Sequence, residues 1–409
     1  LYHTGIGLYR IALRVASLFH PKARLFVRGR RGQFARIREQ IEADTRPRIW
    51  MHCASLGEFE QGRPLLEAIR ERFPHYSLVL TFFSPSGYEV RKNYEGADHI
   101  FYLPLDSKRN AARFIGLVQP RCALFVKYEF WYHYLAALHR GRVPTVLFSA
   151  LFQPRHPFFK WYGGLYRRML GYYDHIFVQD QASCRLLEQL GVRHVSVTGD
   201  TRFDRAAKVL EQQRAFPQLD IFKDGYELLI AGSTWHDDED LLEKVFRQLP
   251  GTYKLLIAPH ETDDAHITRL QGLFPGSCLW NAAEPALRKS RVAIVHTVGQ
   301  LAYLYRYADV VWVGGGFTRS GIHNVIEPAV FGKPVFFGPV YGRYQEAVAM
   351  VSLQAAESIP DAGILRERLA DKKALQHMGC SAREYVQSRL GATQAILLYL
   401  SEKCLSSMA

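Results

Sequence analysis

No apolar stretch of the chain reaches the roughly 18–20 residues needed to cross a bilayer. The N-terminus also lacks the unbroken apolar segment and small-residue cleavage site of a signal peptide. GxxxxGK[ST], HExxH and GxSxG segments are all absent, as is any two-histidine metal spacing. That removes the usual motifs of P-loop NTPases, zinc proteases and nucleophile-elbow hydrolases. The six cysteines (Cys53, Cys122, Cys184, Cys278, Cys380, Cys404) form no CxxC pair and no zinc-like spacing. A reducing compartment is the simpler reading of such scattered thiols. No short-period repeat and no disorder-prone composition is present.

What is there suits two α/β domains, because 409 residues with 48% hydrophobic content exceed one ordinary core. A formal net charge of +13 favours anionic partners. It is unevenly placed: residues 1–50 hold eleven Lys and Arg against three acids, Glu39, Glu42 and Asp44. Read as a helix, residues 3–19 put Leu8, Ile11, Ala12, Val15, Leu18 and Phe19 on one side. His3, Arg10, Arg14 and Ser17 fall on the other. Such a helix either lies on an anionic membrane surface or packs on the domain by its apolar side.

From residue 49 onward, near-continuous apolar runs alternate with helix-period stretches, the pattern of a parallel sheet covered on both faces. The first series predicts strands at Ile49–Ala54, Ser77–Phe82, His99–Leu103, Cys122–Val126, Thr145–Ala150, His175–Gln179 and Val195–Thr198. The second predicts Glu227–Ala231, Lys254–Ala258, Val292–His296, Val310–Val313 and Pro334–Phe337. The expected division is 1–48 as a basic, amphipathic segment, 49–204 as the first domain and 205–226 as a helix plus linker. Residues 227–364 make the second domain, and 365–409 are helices able to cross back to the first.

Open α/β sheets bind ligands beyond the carboxyl ends of their strands, so the loops after strands carry the chemistry. Glu58, in Ser55-Leu56-Gly57-Glu58, is placed either as a general base or as a carboxylate complementing a helix start. Glu129, in Lys127-Tyr128-Glu129-Phe130-Trp131, suits a partly enclosed polar pocket or an ordinary ion pair. Arg202, in Thr198-Gly199-Asp200-Thr201-Arg202-Phe203-Asp204, either faces a phosphate or is tied to Asp200 or Asp204. In the second half, Gly232-Ser233-Thr234 is expected to open a helix and cradle phosphate oxygens. Pro259-His260 and Thr297-Val298-Gly299-Gln300 also follow strands. The strongest pattern is Gly314-Gly315-Gly316 followed by His323-Asn324-Val325-Ile326-Glu327-Pro328. The glycines do not follow GxGxxG, so a nicotinamide or flavin enzyme is not indicated.

Together these segments resemble the 3-deoxy-D-manno-octulosonic acid (Kdo) transferases, which add Kdo to the lipid A precursor in Gram-negative bacteria. The matching signatures run from Trp50–Glu58 through Lys127–Trp131, Thr198–Asp204 and Gly232–Thr234 to Gly314–Pro339. The resemblance implies a GT-B fold, two Rossmann-like domains whose parallel sheets face a central cleft. It implies an inverting glycosyltransferase with CMP-Kdo as co-substrate, no cofactor and no metal. The implied partners are the lipid A precursor and an anionic membrane surface, not nucleic acid, with attachment through the N-terminus to the cytoplasmic face of the inner membrane. Glu58 is then the general base, Glu129 supports the transition state, and Arg202 stabilises that state or the phosphate. Pro259, His260, Val298, Gly299, Gln300, Asn324, Val325, Ile326 and Glu327 hold CMP, together with Gly232, Ser233, Thr234, Gly315 and Gly316. Three positions depart from the family pattern: His260 stands where Arg is common, Gln300 where Glu is usual, and Arg202 where Lys is usual. A UDP-sugar transferase or epimerase of the same fold, and a non-catalytic anionic-lipid-binding protein, are the competing expectations.

Overall fold

The computed structural model describes residues 2–212, 214–249 and 251–405. The chain forms two compact units, Leu1–Asp204 with Gly391–Ala409, and Arg205–Leu390.

In the first unit, seven strands form one wholly parallel sheet: β1 (Arg48–Cys53), β2 (Ser77–Phe82), β3 (His99–Tyr102), β4 (Pro120–Val126), β5 (Thr145–Ala150), β6 (His175–Val178) and β7 (Val195–Val197). Their order is β3-β2-β1-β4-β5-β6-β7. The central strands are buried on both faces, which is why they read as unbroken apolar runs rather than alternating ones. Strand order reverses between β1 and β4, and this switch point is where a doubly wound sheet leaves a crevice at its carboxyl edge. One core face gathers Trp50, Phe114, Phe125 and Tyr134. The other gathers Met51, Leu65, Leu80 and Leu124, together with Ile396, Leu397 and Leu400 from the chain's end. Asp204 fixes that return by accepting from Gly391 N (2.7 Å) and Thr393 N (2.6 Å) at the start of the helix Ala392–Tyr399.

Before the sheet come α1 (Tyr2–Phe19), α2 (Pro21–Gly29) and α3 (Gln33–Glu42). The two faces of α1 are inverted relative to an ordinary packed helix. Leu8, Ile11, Val15, Leu18 and Phe19 are all exposed, and no residue of α1 is buried. No helix among the described residues is long and apolar enough to cross a membrane.

The second unit repeats the architecture with β8 (Glu227–Thr234), β9 (Tyr253–Pro259), β10 (Cys278–Leu279), β11 (Val292–Ile294), β12 (Val310–Val313), β13 (Val335–Phe337) and β14 (Glu357–Ser358). The order is β10-β11-β9-β8-β12-β13-β14, again all parallel, with the switch between β8 and β12. Two edge strands, β10 and β14, were not expected; each is two residues long and too short to show a pattern. Residues 205–226, expected as a helix plus linker, are packed into this unit. Phe216, Leu219 and Phe222, three residues apart, put one side of the helix Pro217–Lys223 into the core. The C-terminal helices, expected as one block from 365, divide at Leu390: Ala362–Ala370 and Lys372–Gln387 stay with the second unit.

Candidate active site

In the first unit, the two motif loops leave the two strands that flank the switch point. Ser55 caps α4 (Leu56–Arg72), its side chain accepting from Glu58 N at 3.5 Å, and the Glu58 carboxylate accepts from Ala54 N. This reciprocal arrangement resembles a capping box and fixes the carboxylate at the first turn. Glu58 therefore has the local structural role that the sequence allowed. Its environment goes further. Burial, then the negative charge of Glu129, push its carboxyl from the ordinary 4.5 to about 8, although Ala54 N–H and Lys127 pull the other way. A carboxylate tuned into the neutral range is a competent general base, since base strength and availability are both appreciable there.

Glu129 is 4% exposed and follows β4. Its Oε2 accepts from Trp131 Nε1–H, and its backbone carbonyl accepts from Tyr173 O–H. His52, wholly buried on β1, places Nε2 2.9 Å from the same Oε2, at ion-pair distance but off hydrogen-bond alignment. Behind it, Trp50 Nε1–H donates to Thr81 Oγ1 at 2.8 Å, and that hydroxyl lies 2.8 Å from His52 Nδ1. His52 and Thr81 were not singled out in the sequence. A histidine inside an apolar strand resembles any satisfied core residue until β1 and β2 are paired, which sets His52 opposite Thr81.

Arg202 is tied to Asp200 through Nε (2.9 Å) and Nη2 (2.8 Å), and its N–H donates to Asp200 Oδ1. Gln61 Nε2 donates to the same carboxylate at 2.9 Å. Burial disfavours the Asp200 charge, but Arg202 outweighs it and holds the carboxyl below its ordinary value.

In the second unit, Gly232-Ser233-Thr234 does not open a helix as expected. It is the end of β8, because Gly232 is paired on both sides, with Val313 and Ala258. A register shift between Gly232 and Thr234 puts Ser233 at φ +53°, and the helix His236–Gln248 starts only after Trp235. Pro259 ends β9, and His260 N donates to Thr234 O at 3.0 Å. The His260 ring stacks between Trp235 (4.8 Å) and His323 (4.5 Å). Trp235 Nε1–H, a donor only, points at His323 Nε2 at 3.1 Å, which leaves the His323 proton on Nδ1. Burial, then neighbouring His260, lower His323 to about 4.

Val298 is 86% exposed, Gly299 has φ +89°, and Gln300 Oε1 is buried without a partner. Gly315 N donates to Asp238 Oδ2 at 2.8 Å. Asp238 also accepts from Trp235 N and Trp312 Nε1, so one buried carboxylate ties the β8 and β12 loops together. The glycines are required by the chain itself. A Cβ on Gly314 would lie 2.3 Å from Ser233 O, and one on Gly316 would lie 2.4 Å from Gly338 N. Gly316→Ala is accordingly expected to destabilise the protein by about 1–3 kcal/mol or more, read as a lowered urea midpoint. A midpoint equal to the parent's would show that the loop yields.

Val325 and Ile326 are buried in the core, and their carbonyls accept from Ala329 N (3.4 Å) and Val330 N (3.0 Å). Asn324 accepts from Ile326 N (3.0 Å) and donates to Glu327 Oε1 (3.1 Å). Burial raises the Glu327 carboxyl, against the opposing pull of Arg205 and Asn324. Two groups among the described residues have metal-like spacing, His236/Glu239/His266 and Glu261/Asp263/His266. In the first, Glu239 already engages Thr234, His266 and Arg269.

Two wholly parallel sheets, each carrying its motif loops at its own switch point, define an α/β protein of the GT-B type. Solved structures agree on the fold. UDP-GlcNAc 2-epimerase from Neisseria meningitidis aligns with a TM-score of 0.62 at 14% identity, over 87% of this chain and 100% of that one. MurG from Acinetobacter baumannii aligns at 0.56 and 13%, over 87% and 99%. The profile of the 3-deoxy-D-manno-octulosonic-acid transferase (kdotransferase) family matches residues 27–205. Proteins named 3-deoxy-D-manno-octulosonic acid transferase are similar along most of the chain. The one from Bordetella pertussis is 28% identical over 96% of this chain and 98% of its own. The one from Haemophilus influenzae is 25% identical over 85% of each. The chain is thus similar to the Kdo transferases, by the family profile over residues 27–205 and to proteins of that name along most of its length.

Proposed function

We propose that the protein transfers Kdo from CMP-Kdo to the lipid A precursor at the cytoplasmic face of the inner membrane, with inversion at the anomeric carbon. The observation that carries this reading is Glu58, held at the β1 switch-point edge with its carboxyl raised to about 8. In the proposed step, the acceptor's primary hydroxyl oxygen bonds to the anomeric carbon as the bond to CMP breaks. Its proton passes to Glu58, and the electron pair leaves with the CMP phosphate. Glu129, beside Glu58, supplies negative charge for an oxocarbenium-like centre. The unpartnered Gln300 Oε1 and the Asn324–Glu327 pair offer acceptors and a donor to the nucleotide. Arg202, kept charged and oriented by Asp200, is assigned to the phosphate. The reading gives no metal a part in transfer.

The test is transfer from in situ generated CMP-Kdo to tetra-acylated lipid A precursor, with products resolved by mass. Kdo-bearing product supports the reading, and its absence with folded protein that binds CMP moves the acceptor or the sugar acid elsewhere. Binding of UDP in place of CMP would favour the epimerase-like alternative.

Membrane association is supported by α1, whose apolar stripe faces outward, and by Trp161 and Tyr162, which are exposed. The triple substitution Ile11→Ser/Val15→Ser/Leu18→Ser is expected to release the protein from phosphatidylethanolamine/phosphatidylglycerol vesicles on flotation. Undiminished flotation would remove α1 from the contact.

A further inference from the structure

The face of α1 opposite its exposed stripe does not pack tightly on the domain. It roofs an open cavity of about 750 Å³ whose floor comes from α2, α3 and the segment following β3. Four guanidinium side chains line it, those of Arg10, Arg14, Arg30 and Arg31, and no carboxylate does. The acid beside this lining in the chain, Asp106 between Leu105 and Ser107, is buried and engaged elsewhere, accepting from Tyr2 O–H and from the amides of His133 and Tyr134. The rest of the wall is largely apolar, including Leu13, Phe26 and Phe34.

Two groups at this cavity are left incomplete by the protein. The first is Arg30. Its Nε donates to Leu103 O (3.0 Å), its Nη2 to Phe83 O (2.7 Å) and its Nη1 to Phe26 O (3.2 Å). The guanidinium lies 3.6 Å from the Phe26 ring centroid. Every hydrogen-bond acceptor is a backbone carbonyl, so the cation is solvated but not neutralised. Burial lowers its pKa, yet a guanidinium keeps its charge at neutral pH. Burying such a charge is costly unless a counter-charge arrives. The second is Gln33, 9% exposed, whose Oε1 is buried and accepts from nothing. It asks for a hydroxyl or amide donor.

We infer that this cavity binds a phosphate-bearing, hydroxylated lipid headgroup with part of its alkyl chain. The phosphate neutralises Arg30 with Arg10, Arg14 and Arg31, a hydroxyl donates to Gln33 Oε1, and the chain lies along Leu13, Phe26 and Phe34. The site is separate from the sugar-transfer reading, because binding here needs neither donor nor turnover.

Dihexanoyl phosphatidylglycerol, titrated below its micelle concentration into the full chain by calorimetry, is the probe. Saturable one-site binding is expected. Dihexanoyl phosphatidylcholine, with the same tails and no net charge, and inorganic phosphate, with charge and no tail, should each bind at least about tenfold more weakly. Arg30→Gln should abolish binding. Because that variant also loses carbonyl contacts and could unfold, Gln33→Leu and the exposed pair Arg10→Ser/Arg31→Ser carry the test as well. Each is expected to weaken binding roughly five- to tenfold. No saturable binding to folded protein, equal affinity for inorganic phosphate or phosphatidylcholine, or unchanged affinity in the folded variants would each overturn the assignment.

Discussion

Glu58→Gln is expected to lower the rate of Kdo transfer by roughly 10²–10⁴-fold, the range set by removing a general base, with CMP binding unchanged. The amide keeps the size of the side chain and an oxygen to accept from Ala54 N, so the start of α4 is preserved. What is lost is the capacity to take the acceptor's proton. The residues assigned to the donor lie in the other unit, on loops following β8, β9, β11 and β12. A structural explanation of the lost rate can be separated from the chemical one by stability. The folded carboxyl titrates near 8, above its ordinary 4.5, so between those values the folded state binds more protons than the unfolded chain. Stability then falls as pH rises through that window. Removing the ionisable group removes the penalty. Glu58→Gln should therefore be at least as stable as the parent at pH 9, with the difference vanishing below about pH 4.5. An inactive variant that is also less stable at pH 9 would point to damage rather than chemistry, and near-parental turnover would end the base assignment.

The pattern of apolar runs was enough to place twelve of the strands to within a few residues, because strands buried on both faces cannot hide their composition. It could not place β10 and β14, which have no interior, nor the end of β8. There Gly232-Ser233-Thr234 reads as a turn by residue type, and only pairing on both sides keeps it extended. The loops bearing Glu58 and Glu129 were legible as strand-end segments, but not as neighbours. Their meeting depends on β1 and β4 being adjacent across five intervening elements, a matter of strand order that no local pattern encodes. The same gap hid His52, Thr81 and Asp238, whose partners are distant in sequence. It also hid the orientation of α1. Its two faces were legible, but the apolar one turns to solvent and the basic one onto a cavity, the reverse of what packing on a domain would favour.

That adjacency has its own kinetic signature. With Glu58 as base, kcat/KM should rise with pH and level off near 8, falling by about tenfold per pH unit on the acid side. Two causes hold the limb so high, burial first and the Glu129 charge second, while Lys127 and Ala54 N–H oppose them. Cys53 and Tyr128 also lie within electrostatic reach of Glu58, both with their own titrations raised by burial and so uncharged at neutral pH. Glu129→Gln deletes the second cause and leaves the first. Its acid limb should move toward lower pH but stop short of the ordinary carboxyl value. The plateau should also fall, because a proton held less tightly by Glu58 means a weaker base, and because the negative charge assigned to the anomeric centre in the proposed step is gone. Lys127→Met provides the opposite sign: removing a cation that favours ionised Glu58 should push the limb above 8. Limbs that coincide in the parent, Glu129→Gln and Lys127→Met would mean that the titrating group lies elsewhere, and the pairing of Glu58 with Glu129 would have no part in the pH dependence of transfer.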